Sequence, residues 1–243
     1  VEPQSETVWN QADRYNDPRI AFVNKMDRTG ADYYNVIDMM KERFGANPVP
    51  LNIPIGDGAT YTGIVDLVEM KAIIYAEDDG TNFDTVEISD DMKSLADKWR
   101  EHLLEEVASN DESLMEKYLD GQDIDINELK AAIRKSCISG DIIPMLCGSA
   151  FKNKGVQSLL DAVISFLPSP IDVGAIKGFD VDDKEQELSR EPSNDVPFSA
   201  LAFKIMTDPF VGRLTFFRVY SGKVSTGDFI YNPTSGKKER VGR

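Results

Sequence analysis

Apolar residues along this chain repeat at two spacings, three-to-four and two, and each change of spacing marks an element. Residues 4–16 place Val8, Trp9, Ala12 and Tyr15 on one stripe of an amphipathic helix, which Asp17-Pro18 stops. Ile20-Ala21-Phe22-Val23 is an unbroken apolar run, expected as a buried parallel strand. Helical spacing returns with Tyr33, Val36, Ile37, Met40 and Phe44 and ends near Gly45. A second apolar run, Ile142-Ile143-Pro144-Met145-Leu146-Cys147, empties into Gly148-Ser149-Ala150. Val156, Leu159, Leu160, Val163 and Leu167 then predict a helix that Pro168-Ser169-Pro170 closes.

Between and after these segments the pattern changes. Pro48 to Ile55 alternates like one strand, and its prolines point to a sheet edge. Residues 63–68 and 71–75 are two further strand candidates, and 90–119 and 126–139 are helical, with Met92, Leu95, Trp99, Leu103 and Val107 on one stripe and Leu129, Ile133 and Cys137 on another. Beyond Asp172 the chain turns to β, with strands at 196–204, 214–220 and 228–231 between Gly- or Pro-bearing turns. The expected class is α/β: a partial P-loop-type sheet with an inserted α+β subdomain, then an incomplete antiparallel β-barrel. The boundaries read as 1–45 with 141–170 for the sheet domain, 46–140 for the insert and 171–243 for the barrel.

Chemistry enters at the loop after the first apolar run, Asn24-Lys25-Met26-Asp27. An N-K-x-D tetrapeptide leaving a strand suits the reading of guanine. Guanine presents N1–H and an exocyclic amine side by side, two parallel donors that the Asp27 carboxylate can accept together. Adenine offers a lone pair there and leaves the carboxylate desolvated and unpaired, a difference of several kcal/mol. Asn24 suits the N7 edge, the Lys25 stem suits the base face, and Met26 is the position the chemistry leaves free. The bland alternative is a polar loop after a strand. In open α/β sheets ligands gather at the carboxyl ends of strands, so the Gly148-Ser149-Ala150 loop is expected to reach the same crevice. There Ser149 braces the carboxylate loop and the Ala150 N–H donates to guanine O6.

Composition narrows the rest. Hydrophobic residues make up 41% and charged residues 28% of 243 residues, with no apolar stretch long enough to span a membrane. Cys137 and Cys147 lie without a metal-binding partner set and read as reduced, buried thiols of a cytoplasmic protein. His102, the one histidine, stands among Glu101, Glu105 and Glu106 and reads as a solvated surface residue. The net charge of −15 is concentrated in residues 77–128, which hold 18 Asp/Glu against 4 Lys/Arg. That run is either a solvated face or a docking surface for a basic protein. It argues against DNA as a partner, because phosphates would be repelled.

Several blocks resemble bacterial translation elongation factor G: Ser5-Glu6-Thr7-Val8-Trp9, residues 22–32, Gly148 to Val156, and Asp208-Pro209-Phe210-Val211-Gly212-Arg213-Leu214 followed by Arg218-Val219-Tyr220-Ser221-Gly222. The resemblance covers essentially the whole chain. It implies a cytoplasmic, ribosome-bound GTPase that drives translocation, with GTP or GDP as nucleotide and ribosomal RNA and proteins as partners. By the family's pattern Asn24, Lys25 and Asp27 contact guanine, and Ser149 and Ala150 complete the pocket. Phe151 stands where simpler GTPases carry a base-stacking Lys, so its ring covers the base or belongs to the core. The acidic helices fall where the family's insert meets the ribosomal stalk protein. Peptide release factor 3 and tetracycline ribosome-protection proteins are the nearest rival readings, and a non-catalytic docking fragment is a third.

The sequence holds no G-x-x-x-x-G-K-[ST] run, the phosphate cradle whose Ser/Thr also holds Mg²⁺. The family's D-T-P-G-H segment with its water-positioning His and its Thr-bearing switch are absent too. The chain starts at Val1 without an initiator Met, so those parts are expected upstream in a longer protein, with this piece carrying no catalytic residue, no Mg²⁺ ligand and no GTPase activity of its own.

Overall fold

The fold is described from a computed structural model over residues 2–76, 80–180, 183, 185–210 and 212–242. The start of the acidic run at 77–79 and Val211 of the 208–214 block lie outside the described residues. The chain divides into two units, Val1–Leu167 and Pro168–Arg243.

In the first unit, helix α1 (Pro3–Tyr15) opens on a proline whose missing N–H costs nothing at a helix start. It buries little: the Trp9 ring stacks on Phe44 at 4.4 Å, with the Arg19 guanidinium 4.6 Å from the Trp9 ring centre. Val8 and Tyr15, expected on the same stripe, are exposed, because one neighbouring helix gives α1 only a narrow seam. Strand β1 (Ala21–Val23) follows, then α2 (Tyr33–Phe44), capped by the Asp32 side chain on the Asn35 N–H at 2.9 Å and ended by Gly45 in the left-handed region.

The segment expected as one edge strand over 48–55 is two. β2 (Pro48–Pro50) joins a parallel sheet, and after Leu51 the chain enters an antiparallel one as β3 (Asn52–Ile55). β4 (Gly63–Asp66), β5 (Lys71–Tyr75) and β6 (Phe83–Val86) complete a four-stranded meander in the order β3-β4-β5-β6. Helices α3 (Asp90–Ala108), α4 (Glu112–Leu119) and α5 (Ile126–Ser139) pack beside it, and β7 (Ile143–Cys147) returns through the middle of the parallel sheet, ordered β1-β7-β2. Every residue of β7 is buried. β1 is an edge strand and only half-buried, not the buried strand its apolar run suggested, since β7 alone flanks it among the described residues.

One hydrophobic cluster runs from Met26 through Ile53, Ile64, Leu103 and Ile133 to Phe166, so the antiparallel sheet and its helices share a core with the parallel sheet. Polar ties reinforce it. The Arg100 guanidinium donates to the carbonyls of Leu67 and Val68 at 2.7 and 3.1 Å, and the Asn47 amide donates to Glu106 at 2.7 Å. Helix α6 (Val156–Phe166) buries Ala162 and Phe166 and leaves Leu160 and Val163 exposed, so its inward face is rotated from the expected stripe. His102 is also corrected. Its side chain is 24% exposed and sits edge-on to Trp99, with Nδ1 3.9 Å from Glu106 and Nε2 buried without a hydrogen-bond partner.

The second unit opens with the short helix α7 (Pro170–Val173). Three antiparallel ribbons follow: β8 (Ile176–Phe179) with β9 (Glu187–Arg190), β10 (Ser199–Asp208) with β11 (Gly212–Ser221), and β12 (Phe229–Asn232) with β13 (Lys237–Arg240). The long ribbon is pinned at its base, where the Ser221 hydroxyl donates to the Pro197 carbonyl at 2.7 Å. Leu201, Phe203, Ile205 and Val219 along it are exposed. The ribbons are those of a barrel-like β domain.

Candidate functional site

The two loops singled out in the sequence meet at the carboxyl ends of β1 and β7. Parallel pairing aligns Val23 with Cys147, and it continues past the strands: Gly148 N–H donates to Val23 O and Met26 N–H to Gly148 O, both at 3.0 Å. The chains therefore leave the sheet together. Asn24 then closes the junction, its Oδ1 accepting the Lys25 N–H at 2.8 Å and the Ala150 N–H at 2.9 Å.

Two backbone features shape the loops. Lys25 is exposed and holds a left-handed φ of 67°, a conformation costly for a side-chain-bearing residue and concentrated at functional loops. The second loop closes on itself through a bridge between Ser149 and Lys154, with N–H···O distances of 2.8 and 3.0 Å. Glycine is required at both ends of that bridge. A Cβ on Gly148 would stand 2.3 Å from Lys154 O, and one on Gly155 would stand 2.5 Å from Cys147 O.

Asp27 is half-buried at the mouth. The Ser149 hydroxyl beside it is the main influence holding its carboxyl below the ordinary value. Burial opposes this; its own backbone N–H and the positive charges of Lys152 and Arg28 assist. Ser149 is 1% exposed, and its Oγ makes no hydrogen bond of ordinary geometry. Proximity and polarity, not a formed bond, are thus what the serine supplies. The carboxyl is ionised at neutral pH, as acceptance of two donors requires.

The remaining residues separate. Phe151 is 97% exposed, which rules out the core alternative and leaves an unpacked aromatic ring beside the loops. Met26, the position that base chemistry leaves free, is 1% exposed and anchors the first loop from beneath; its carbonyl also accepts the Gly58 N–H at 2.8 Å. Its apolar character among polar neighbours was the one signal of this.

Sequence reading missed a second group altogether. Asn52 Oδ1 accepts the Cys147 N–H at 2.9 Å, and the Tyr75 hydroxyl accepts the Gly155 N–H at 2.7 Å. These partners are 95 and 80 residues apart, beyond the reach of any local pattern.

As a whole, the site offers a planar acceptor pair, a carboxamide and an amide donor on two loops tied to each other. The Asp27 carboxylate can accept two parallel donors, and the Ala150 N–H is already engaged by Asn24 Oδ1. Among the described residues no helix is long and apolar enough to cross a membrane.

Residues 1–169 match the family of the elongation factor Tu GTP-binding domain, and residues 197–243 match elongation factor G domain 2. A crystal structure of a protein from Thermus thermophilus is similar, with a TM-score of 0.78 and 27% sequence identity over 99% of this chain and 33% of that one. The chain thus spans about a third of that protein's length. With residues 1–169 matched, the chain belongs to the elongation factor Tu GTP-binding domain family.

Proposed function

We propose that this chain is the base-reading part of a translational GTPase of the elongation factor G type, a factor that uses GTP to move transfer and messenger RNA through the ribosome in the cytoplasm. In this reading residues 1–45 and 141–170 belong to the GTP-binding domain, 46–140 form an inserted subdomain apart from β2, which pairs with β7 in the parallel sheet, and 171–243 form a β-barrel domain. One observation carries the proposal: Asn24 Oδ1 accepts the Ala150 N–H, which joins the N-K-x-D loop to the Gly148-Ser149-Ala150 loop at one strand end. The match of residues 197–243 to elongation factor G domain 2 supports the choice within the family.

Each residue then has a role. Asp27 accepts guanine N1–H and the 2-amino group. Asn24 faces the N7 edge, the Lys25 stem lies along the base, and the Ala150 N–H serves O6 as well as Asn24. Ser149 places a polar hydroxyl beside the Asp27 carboxylate and favours its charged form further, and the exposed Phe151 ring covers the base. Hydrolysis belongs to a phosphate cradle and Mg²⁺, and this sequence contains no G-x-x-x-x-G-K-[ST] run to hold them. The 243-residue chain by itself therefore hydrolyses no GTP and binds guanine nucleotides weakly.

The Asp27→Asn variant tests the reading. A carboxamide presents one donor and one acceptor, which suits the 2-oxo group of xanthine and mismatches guanine. Titrations followed by NMR at the amides of 24–27 and 148–151 should show the preference moving from GDP to xanthosine diphosphate. An unchanged preference removes the base-reading role.

A further inference from the structure

The two base-reading loops are held from behind by residues that belong to neither. Three hydrogen bonds reach them from the segment between β3 and β5: Gly58 N–H to Met26 O at 2.8 Å, Cys147 N–H to Asn52 Oδ1 at 2.9 Å, and Gly155 N–H to the Tyr75 hydroxyl at 2.7 Å. The Tyr75 hydroxyl in turn stands 3.5 Å from Gln157 Oε1, while Gln157 Nε2 donates to Gly80 O at 3.2 Å. Gly80 presses against the loop itself, since a Cβ there would lie 2.4 Å from Lys152 O. The antiparallel sheet and its connections thus hold the end of β7 at Cys147, the closing residue of the second loop at Gly155 and the Asn24–Asp27 loop at Met26.

We propose that Tyr75 is a positioning residue for the base-reading site, acting through Gly155. The inference rests on the guanine reading above and extends it to a side chain that touches no base. Gly155 closes the loop whose Ser149–Lys154 bridge places Ser149 beside Asp27 and aims the Ala150 N–H at Asn24. The Gly155 N–H is buried and its acceptor is the tyrosine oxygen. Without that oxygen the amide must find another acceptor, and the short glycine-bounded loop can supply one only by shifting. A displacement of a few tenths of an ångström at Ser149 and Ala150 spoils both tests of the base. Base selectivity then falls even while the fold persists.

The experiment compares Tyr75→Phe with Tyr61→Phe in the full 243-residue chain. Tyr61 is also buried, 5% exposed, but among the described residues its hydroxyl has no hydrogen-bond partner, so its removal controls for loss of a buried hydroxyl alone. GDP and ADP are titrated at millimolar concentration and followed by amide NMR. Tyr75→Phe is expected to lower the GDP-over-ADP affinity ratio about fivefold to tenfold, the scale of one unsatisfied buried amide, with Tyr61→Phe unchanged. A destabilised but correctly positioned loop would lower the melting temperature and leave that ratio intact.

Asp27→Asn serves as reference. If it alters the ratio while Tyr75→Phe does not, Tyr75 has no positioning role and the base reading stands. If neither alters it, the base reading falls and this inference with it. Should Tyr75→Phe fail to fold, hydrogen exchange of the wild-type chain decides: the Gly155 amide must be protected and gain protection together with Ala150 on adding GDP. A Gly155 amide that exchanges as fast as an open loop overturns the proposal.

Discussion

Asn24 Oδ1 accepts the backbone N–H of Ala150 at 2.9 Å, a bond between residues 126 positions apart. The same oxygen holds Lys25 in its left-handed turn. Replacing Asn24 with Ala removes both bonds at a partly solvated site, so about 1–2 kcal/mol of stability should be lost. Faster hydrogen exchange at Ala150 and Lys25, with Ile133 in the core unchanged, is the signature to look for. Equal acceleration throughout would mean that Asn24 is not a local clasp.

Met26 should matter more to folding than its charged neighbour. Met26→Ala leaves a cavity under the first loop and should cost about 2–4 kcal/mol. Lys25→Ala, on an exposed side chain, should cost under about 1 kcal/mol. Urea denaturation of the two variants measures the difference, and a Met26 effect no larger than the Lys25 effect would contradict the buried anchor.

Phe151→Ala tests the ring without disturbing the fold. Because the ring is almost wholly exposed, stability should stay within about 0.5 kcal/mol of the parent. Under the proposed role GDP affinity falls while the melting temperature holds. A clear loss of melting temperature would place the ring in packing contacts that the structure does not contain.

Alkaline pH should unfold the chain from the region of β7. Burial pushes the Cys147 thiol and the Tyr33 and Tyr61 hydroxyls well up, and raises Tyr75 as well; Cys137 is pushed up to about 11. All five acids are therefore protonated in the fold at pH values where the unfolded chain ionises. Their contribution is complete below about pH 8.5, the ordinary thiol value, and is lost progressively above it as the unfolded state sheds protons first. Urea midpoints should be level across pH 6–8 and fall from pH 9 to 11. Both thiols should resist alkylation at pH 8 until urea is added. Rapid labelling of Cys147 in the folded chain would contradict its burial.

The acidic helix α3 offers a cleaner docking test than its sequence suggested. Glu101 and Glu105 are exposed, whereas Glu106 is half-buried and accepts from Asn47 at 2.7 Å. Glu101→Lys with Glu105→Lys should leave the melting temperature nearly unchanged and weaken binding of the ribosomal stalk protein at low salt, if that protein docks here as the resemblance implies. Reversing Glu106 would damage the fold and confuse the result.

Much of this architecture was legible in the order of residues. The runs at 20–23 and 142–147 became β1 and β7, and the stripes of α2, α3 and α5 face inward much as their spacing requires. Those features are local: apolar spacing, a cap at Asp32, a stop at Gly45. Where several neighbours compete for one helix, spacing alone failed. Helix α6 has apolar residues on most sides, so only its packing partners chose Ala162 and Phe166 as the buried face. The break of 48–55 into two strands was hidden for a similar reason, since Leu51 continues an alternating pattern while its N–H already bonds Met145 O at 2.8 Å.

The sequence alone determined the chemistry available at the two loops proposed to read the base, because the acceptor pair of Asp27 and the glycines around Ser149 are properties of residue type and short spacing. Tertiary structure decided the rest. It made Asn24 the link between distant loops, put Met26 in the core and Phe151 in solvent, and brought Asn52 and Tyr75 behind the site. The last of these depends on which buried amide finds which acceptor across 80 to 95 residues. A buried N–H must be satisfied by whatever the completed packing places within reach, and no local pattern records that partner.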